Sequence, residues 1–181
     1  MIEVASTIDA ADKAFMAILS RIQRPWLVRF MGYLTRLASA FVFLPACIFF
    51  LVFGQGQFPT VAFTTLIGEC ILLPIIVLLR YRTRRERPSN VIARQWTPWN
   101  RFSFPSHHSA RAWMVVPLVL VHYPDALPSI VMMAIFISFS RLYLQKHYPS
   151  DVLTGAVLGL CVGLAVRAVY SPSSIEDYIW T

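Results

Sequence analysis

Long stretches with almost no charged residues limit the fold of this chain more than any other feature of its sequence. Five of them follow one another, at residues 37–53, 58–79, 112–121, 127–140 and 152–166. Glu69 is the only charged residue among them. About 20 apolar helical residues cross a hydrocarbon layer, and the later stretches are short enough to require packing against neighbours. We therefore predict an all-α integral membrane protein whose core is a bundle of five transmembrane helices.

The composition agrees with a membrane location and narrows the possible partners. Charged residues make up 14% of the chain, against roughly 25% in soluble domains, and the mean hydropathy is +0.60. The net charge of +7 arises from basic residues between apolar stretches, which favours anionic lipid head groups or an anionic substrate over nucleic acid. The three cysteines lie inside apolar stretches and are interpreted as packing residues.

The N-terminal segment has the pattern of an amphipathic helix. Between residues 8 and 24, apolar side chains recur at helical spacing, and charged side chains occupy the other positions. Such a helix lies in the membrane interface, and the bundle would have six spans if it inserted. We expect one domain over residues 1–181, with an interfacial amphipathic segment at 1–36, the core bundle at 37–170 and a polar tail at 171–181.

Polar residues cluster at the ends of four of the apolar stretches. If consecutive spans alternate in direction, the end of the second, the start of the third, the end of the fourth and the start of the fifth lie on one membrane face. These ends carry Arg80, Arg87, Ser106, His107, His108, Arg111, Arg141, His147 and Asp151. We therefore predict one polar pocket with several fixed positive charges and two or three titratable imidazoles.

The residue types in this pocket suit phosphoryl transfer. Guanidinium groups bind phosphate oxygens and keep their charge at neutral pH. A helix opened by "FPSHHS", with Pro105 near its first position, would add backbone N–H groups. Pro149 can start another helix that places Asp151 in its first turn, where it can accept a hydrogen bond from one ring nitrogen of His147. The other nitrogen is then free to attack phosphorus, and a second histidine can protonate the leaving oxygen, which predicts a phosphohistidine intermediate.

Three short motifs resemble those of the type 2 phosphatidic acid phosphatase (PAP2) superfamily, which are KxxxxxxRP, PSGH and SRxxxxxHxxxD. The third is complete as "SRLYLQKHYPSD" at residues 140–151. The second appears as "PSHH" at 105–108 and the first as "RYRTRRERP" at 80–88. Each lies at the expected end of an apolar stretch, and the resemblance covers about residues 37–170. It implies a vanadate-sensitive membrane lipid phosphatase that works without a metal or another cofactor.

The resemblance also implies a role for each matching residue. His147 is the expected nucleophile, Asp151 its orienting partner and His108 the acid that protonates the leaving group. The expected phosphate cradle consists of Arg80, Arg87, Ser106, Arg141 and the backbone N–H of His107. Family substrates include phosphatidate, phosphatidylglycerophosphate, polyprenyl phosphates or diphosphates and lipid A.

Some positions leave more than one interpretation open. Arg80 replaces the lysine of the first motif and keeps its charge on a larger group. His107 replaces the glycine of the second motif, and its side chain is tolerated by the turn, contacts substrate or competes with His108 for the acid role. Arg111 shares a helix face with His108 and is a candidate contact to a second phosphate or substituent. Glu69 is interpreted as a hydrogen-bonding partner of another helix, with a role in the site as the alternative.

Other residues receive structural interpretations. A ridge of small residues on the last stretch is expected to let two helices pack closely, and consists of Gly155, Gly159 and Gly163. A solvated basic loop near anionic lipid is expected to contain Arg82, Arg84, Arg85, Arg94 and Arg101. The expected interface anchors are Trp96 and Trp99.

Other functions and both orientations stay open. A lipid phosphotransferase of the same family, a metallohydrolase with a metal on the histidines and Asp151, and a non-enzymatic anion or lipid transporter are the alternatives. The excess of Lys and Arg on the site's face predicts a cytoplasmic site in a bacterial inner membrane, whereas the resemblance favours the periplasm. The expected partners are a lipid phosphate and membrane lipids, without nucleic acid, and the oligomeric state is undetermined.

Overall fold

Seven α-helices make up most of residues 2–88 and 98–170, the two parts of the chain that the computed structural model describes. They are α1 (Ile2–Arg21), α2 (Pro25–Leu37), α3 (Ala40–Phe53), α4 (Phe58–Thr83), α5 (His107–His122), α6 (Leu127–Tyr143) and α7 (Pro149–Val169). These parts contain no strand. The predicted polar tail at 171–181, Arg94, Trp96 and the side chain of Trp99 lie outside the described residues.

Within the described residues, three helical segments are long and apolar enough to cross a membrane. They are α4, α7 and the segment Pro124–Tyr143, which adds a short 3-10 turn to the start of α6. Helices α2 and α3 together form a fourth candidate, bent by 42° at the break between them. The predicted fold class is confirmed, but the predicted count of five spans is not. Helix α5 has 16 residues and packs among the others.

Helix α5 lies at the centre of the bundle and packs against α7 along the glycine ridge. A Cβ atom at Gly155, Gly159 or Gly163 would collide with the backbone oxygen of Ser106, Ala110 or Met114 in turn. The predicted packing role of the ridge is confirmed. The apolar core around it joins α4, α5 and α7 through Leu72, Ile76, Ala110, Met114, Leu118, Val162 and Val166. This close approach fixes the start of α5 against the start of α7.

The start of α7 matches the prediction from the sequence, and the start of α5 does not. Pro149 opens α7 as predicted, and Asp151 lies in its first turn. Helix α5 begins at His107 with Ser106 as its N-cap, so Pro105 precedes the cap and does not lie near the first helical position. The reason is a tertiary contact: the Ser106 N–H donates to the Asp151 carbonyl at 3.0 Å, which holds Ser106 in an extended conformation.

Helix α1 is amphipathic, as predicted, and is not among the helices apolar enough to cross the membrane. Its buried residue Leu19 packs with Met31 of α2 and Tyr143 of α6. A second apolar face is open: Ile18 is 64% exposed, and Ile22, the residue just after the helix, is 58% exposed. Such a helix docks on the bundle with one face and leaves apolar side chains for the membrane interface.

Candidate active site

The nine predicted site residues all lie near one end of the bundle. That end is formed by the last turns of α4 and α6, the first turns of α5 and α7, and the segments beside them. Six of the side chains are almost fully buried, namely Arg80, Ser106, Arg111, Arg141, His147 and Asp151. Alternating helix direction therefore brings the residues to one end as expected, although the side chains of His107 and Arg111 contact Glu69 of α4.

His147 has the geometry of a nucleophile. Its side chain is 1% exposed, and its Nδ1 atom lies 2.7 Å from the Ser103 carbonyl oxygen. A carbonyl only accepts, so Nδ1 carries the ring proton and Nε2 keeps its lone pair. Nη1 of Arg87 lies 3.3 Å from Nε2, which places a positive charge beside the nitrogen that keeps its lone pair.

The expected hydrogen bond between His147 and Asp151 is not made. Oδ2 of Asp151 lies 3.7 Å from Nδ1 and instead accepts the Tyr148 N–H at 2.8 Å. Oδ1 accepts from Arg85 at 2.8 Å. The carboxylate is held by the start of α7 and by Arg85, so the Ser103 carbonyl takes its place at the imidazole. Sequence reasoning did not find Ser103, because a backbone carbonyl leaves no signal in side-chain identity.

The protonation state of His147 follows from its surroundings. Burial, together with the positive charges of Arg87, Arg141 and Arg80, holds the pKa of the imidazole well below its usual range. The ring is therefore neutral at neutral pH, as an attacking nitrogen must be.

Two buried arginines, Arg80 and Arg141, and the half-buried Arg87 have no acidic partner within residues 2–88 and 98–170. Arg80 donates to Asn100 Oδ1 at 2.8 Å and to the Pro105 carbonyl at 3.3 Å. Arg141 donates to Thr35 Oγ1 at 2.7 Å. Several buried atoms nearby have no hydrogen-bond partner, including Arg80 Nε, Arg141 Nε and Ser106 Oγ. Buried charges and donors are costly unless something neutralises them, so the arrangement favours an anion.

Arg87 completes this cationic cluster and is oriented by backbone oxygens. It donates to the carbonyls of Asn100, Phe102 and Lys146, at distances between 2.7 and 3.2 Å. These neutral acceptors fix the guanidinium without cancelling its charge. Full charge is therefore retained for an anionic ligand.

His108 lies in the first turn of α5, and its ring is half-buried. It is close enough to Arg141, Lys146 and His147 for their charges to act on it. In the part of the chain that the structure describes, the ring makes no hydrogen bond. It is therefore available to an oxygen atom bound beside His147.

Arg111 and His107 are turned toward Glu69 of α4. Nε of Arg111 donates to Glu69 Oε2 at 3.0 Å, Nη2 donates to Oε1, and Nη1 donates to the Ala38 carbonyl at 2.6 Å. Arg111, a candidate substrate contact, is paired with Glu69 here, because a carboxylate in an apolar core needs such a partner. Nε2 of His107 lies 3.0 Å from Glu69 Oε1, so this side chain also contacts the carboxylate. The predicted role of Glu69 as a partner of another helix is confirmed.

Arg85 does not belong to a solvated loop, contrary to the prediction. Its side chain is 19% exposed and pairs with the carboxylates of Asp9, Asp12 and Asp151. The sequence carries only a faint signal for this, the spacing of Asp9 and Asp12 on the polar face of α1.

The metal alternative relied on the histidines and Asp151. Across the described ranges, no three His, Cys, Asp or Glu side chains form a group that could hold a metal ion. His107 is paired with Glu69, and Asp151 with Arg85.

Comparisons with known proteins find relatives that are similar in sequence and in overall fold. A phosphatidylglycerophosphatase B of Bacillus subtilis is 27% identical over 184 residues, which cover 90% of this chain and 84% of that protein. A decaprenylphosphoryl-5-phosphoribose phosphatase of Mycobacterium tuberculosis is 34% identical over 103 residues, 56% of this chain and 57% of that one. The crystal structure of a transmembrane PAP2-type phosphatidylglycerolphosphate phosphatase from Bacillus subtilis superposes with a TM-score of 0.77 at 23% identity, over 97% of this chain and 90% of that one.

A family model spans more than half of the sequence. The model of the PAP2 superfamily matches residues 60–174, a range that includes all three motifs and the four helix ends around His147. The chain therefore belongs to the PAP2 superfamily.

Proposed function

We propose that this protein is a membrane lipid phosphatase that hydrolyses a phosphomonoester or diphosphate on a lipid through a phosphohistidine on His147. The observation that carries the proposal is a group of three arginines, two of them buried, that have no acidic partner among the described residues, beside a buried neutral imidazole. The relatives named above are phosphatases of lipid phosphates, which supports the same class of reaction here.

The phosphate is held by Arg80, Arg87 and Arg141, with Ser106 Oγ and the backbone N–H of His107 at the start of α5 as further donors. These donors stabilise the charge on the equatorial oxygens as the phosphoryl group moves. The head group reaches them at the end of the bundle while its hydrocarbon chains stay beside the helices.

In the first step, Nε2 of His147 attacks phosphorus, and the bond to the lipid oxygen breaks. His108 gives its proton to that oxygen, so the lipid leaves as an alcohol or as a shorter phosphate. In the second step, a water molecule gives a proton to His108 and attacks the phosphohistidine. Inorganic phosphate leaves, and both histidines return to their starting states. The Ser103 carbonyl keeps the His147 proton on Nδ1 throughout.

The proposal extends to location and substrate. The site faces the cytoplasm of a bacterial inner membrane, because the basic residues flanking the helices lie on the face of the site. Candidate substrates are phosphatidate, phosphatidylglycerophosphate, polyprenyl phosphates or diphosphates, and lipid A.

The test is phosphate release by the purified protein from vesicles that contain each candidate lipid, with a chelator present. Wild type should release phosphate from at least one lipid, be inhibited by vanadate, and lose at least about a thousandfold in kcat in His147→Ala. His122→Ala is the matched control, because His122 ends α5 at the opposite end of the bundle, and it should keep full activity.

Other outcomes assign the protein to the alternatives. Transfer of the phosphate to an added acceptor lipid, with none released to water, identifies a phosphotransferase. Binding of lipid without phosphate release identifies a binding or transport protein. Activity that the chelator abolishes and zinc restores would require a metal-dependent mechanism.

A further inference from the structure

Arg85 lies where the N-terminal helix meets the active site. Its Nη1 atom donates to Asp151 Oδ1 at 2.8 Å and to Ser150 Oγ at 2.7 Å. Its Nη2 atom donates to Asp9 Oδ1 and Asp12 Oδ2, each at 2.7 Å. One guanidinium therefore connects the first turn of α7 to the polar face of α1.

The backbone of Arg85 reaches the nucleophile by a second route. Its carbonyl accepts the N–H of Ser103 at 2.8 Å, and the Ser103 carbonyl in turn lies 2.7 Å from Nδ1 of His147. The guanidinium also lies over the Tyr148 ring, with its central carbon 4.3 Å from the ring centroid, and Tyr148 follows His147 directly. Arg85 thus supports the group that orients His147 and the start of the helix beside it.

Asp12 is the part of α1 that holds Arg85 most firmly. Its side chain is 5% exposed, and it also accepts the Ser150 N–H at 3.1 Å and the Ser150 hydroxyl. Asp9 is 47% exposed and shares its charge with Lys13. Exposed pairs contribute little, whereas a buried, multiply bonded pair is strongly directional, so the two acidic residues differ in importance.

We propose that Arg85 is a positioning residue for the phosphatase reaction and that Asp12 of α1 holds it in place. Docking of α1 on the bundle then determines the orientation of His147, so this interfacial helix is part of the catalytic unit. This inference rests on the proposed function, and it adds a requirement that the three family motifs do not contain.

The first test compares kcat and KM of Arg85→Gln and Asp12→Asn with wild type, using the lipid that wild type hydrolyses. Both variants should lose at least about tenfold in kcat with KM and vanadate inhibition nearly unchanged, because neither residue touches phosphate. Arg85→Lys should recover part of the loss. The matched controls are Arg82→Gln, an exposed arginine three positions away on α4, and Asp9→Asn, which should both stay within about twofold of wild type.

The second test does not depend on activity. In protein labelled with ¹⁵N-histidine, the His147 signal, assigned by its absence in His147→Ala, should show the Nδ1–H tautomer in wild type. The tautomers should be mixed in Arg85→Gln and Asp12→Asn. If wild type has no phosphatase activity but the two variants show these changes in the His147 signal, the proposed function is rejected and the role of Arg85 in positioning His147 is kept.

Two results would overturn the inference. One is wild-type kcat per folded molecule in both variants, together with an unchanged His147 tautomer. The other is a loss of activity that merely follows the loss of folded protein, measured by thermal unfolding in detergent. In either case the proposed phosphatase activity would stand.

Discussion

At the scale of single residues, the site separates charges that are neutralised from charges that are left for a ligand. Arg85 and Arg111 lie close to the site, and both are bound to carboxylates. In the described residues, Arg80 and Arg141 are bound only to neutral oxygens, and Arg87 is bound to neutral oxygens and to the neutral ring of His147. Since a paired guanidinium offers little attraction to an anion, the second group is the one whose charge is available to an anionic ligand.

The low pKa of His147 predicts the acid side of the pH profile. The ring stays neutral until the pH falls well below about 6.5, the ordinary value for histidine, so the acid limb of kcat/KM lies below that pH. Arg87→Gln removes one of the charges that lower this pKa, so the limb should move up toward about 6.5 while kcat/KM falls at least about tenfold. Steady-state kinetics between pH 4 and 8 measure both effects.

Arg82→Gln again serves as the control, since this exposed residue should leave the limb in place. A wild-type acid limb at or above the ordinary histidine value would contradict the assignment of His147 as a buried neutral nucleophile.

At the scale of helices, the break between α2 and α3 is stabilised by the same arginine that forms the buried ion pair with Glu69. The break leaves the Ala38 carbonyl without a helical partner, and Arg111 Nη1 donates to it at 2.6 Å. The same guanidinium neutralises Glu69 and lies over the Phe43 ring, with its central carbon 4.9 Å from the centroid. The Arg111 side chain thus provides a donor for the carbonyl at the helix break and a positive charge for the intramembrane carboxylate. Through these contacts it joins α3, α4 and α5.

The glycine ridge gives a prediction for helix packing. Gly159→Ala places a methyl group against the Ala110 carbonyl oxygen, so α5 and α7 must separate at a cost of roughly 1–3 kcal/mol. The measurement is the midpoint of thermal unfolding in detergent, which should fall. Because α5 and α7 carry Ser106, His108 and Asp151, kcat should fall with it.

Gly32→Ala is the matched control for this substitution. Gly32 lies inside α2, and a Cβ there meets nothing within 4 Å. Because alanine has a higher helix propensity than glycine, this variant should be as stable as wild type or more stable by up to about 1 kcal/mol. Equal midpoints for the two variants would show that the α5–α7 contact is looser than described.

At the scale of the whole molecule, the bundle has two unlike ends. The site and α1 are at one end, and the turns before α4 and α6 are at the other, where Phe58 and Tyr123 rings lie 5.0 Å apart. Basic side chains concentrate at the end with the site. The positive-inside rule therefore predicts that this end faces the cytoplasm.

Labelling of single cysteines in intact cells tests this orientation. In a variant with Cys47, Cys70 and Cys161 replaced by alanine, Arg82→Cys at the end with the site should resist a membrane-impermeant maleimide. Asp125→Cys, exposed at the opposite end, should react fully. The reverse pattern would place the site in the periplasm, and equal labelling after cell lysis controls for access to both thiols.

Much of the site could be predicted because its chemistry resides in side-chain identity and in the order of the motifs. The three motifs, the helical character of the apolar stretches and the start of α7 at Pro149 all follow from local sequence. So does the gathering of the four helix ends, since spans that alternate in direction bring alternate ends to one face.

The sequence by itself determined the class of fold and the packing ridge, and it predicted which residues bind phosphate and which react. The tertiary structure alone decided the partners: the Ser103 carbonyl at His147, Glu69 at Arg111 and His107, and Asp12 at Arg85. Each of these contacts joins residues far apart in the chain, and a buried charge takes whichever partner packing brings within reach. Residue type states that an arginine is charged, but only the packed bundle decides whether that charge is neutralised or left for substrate.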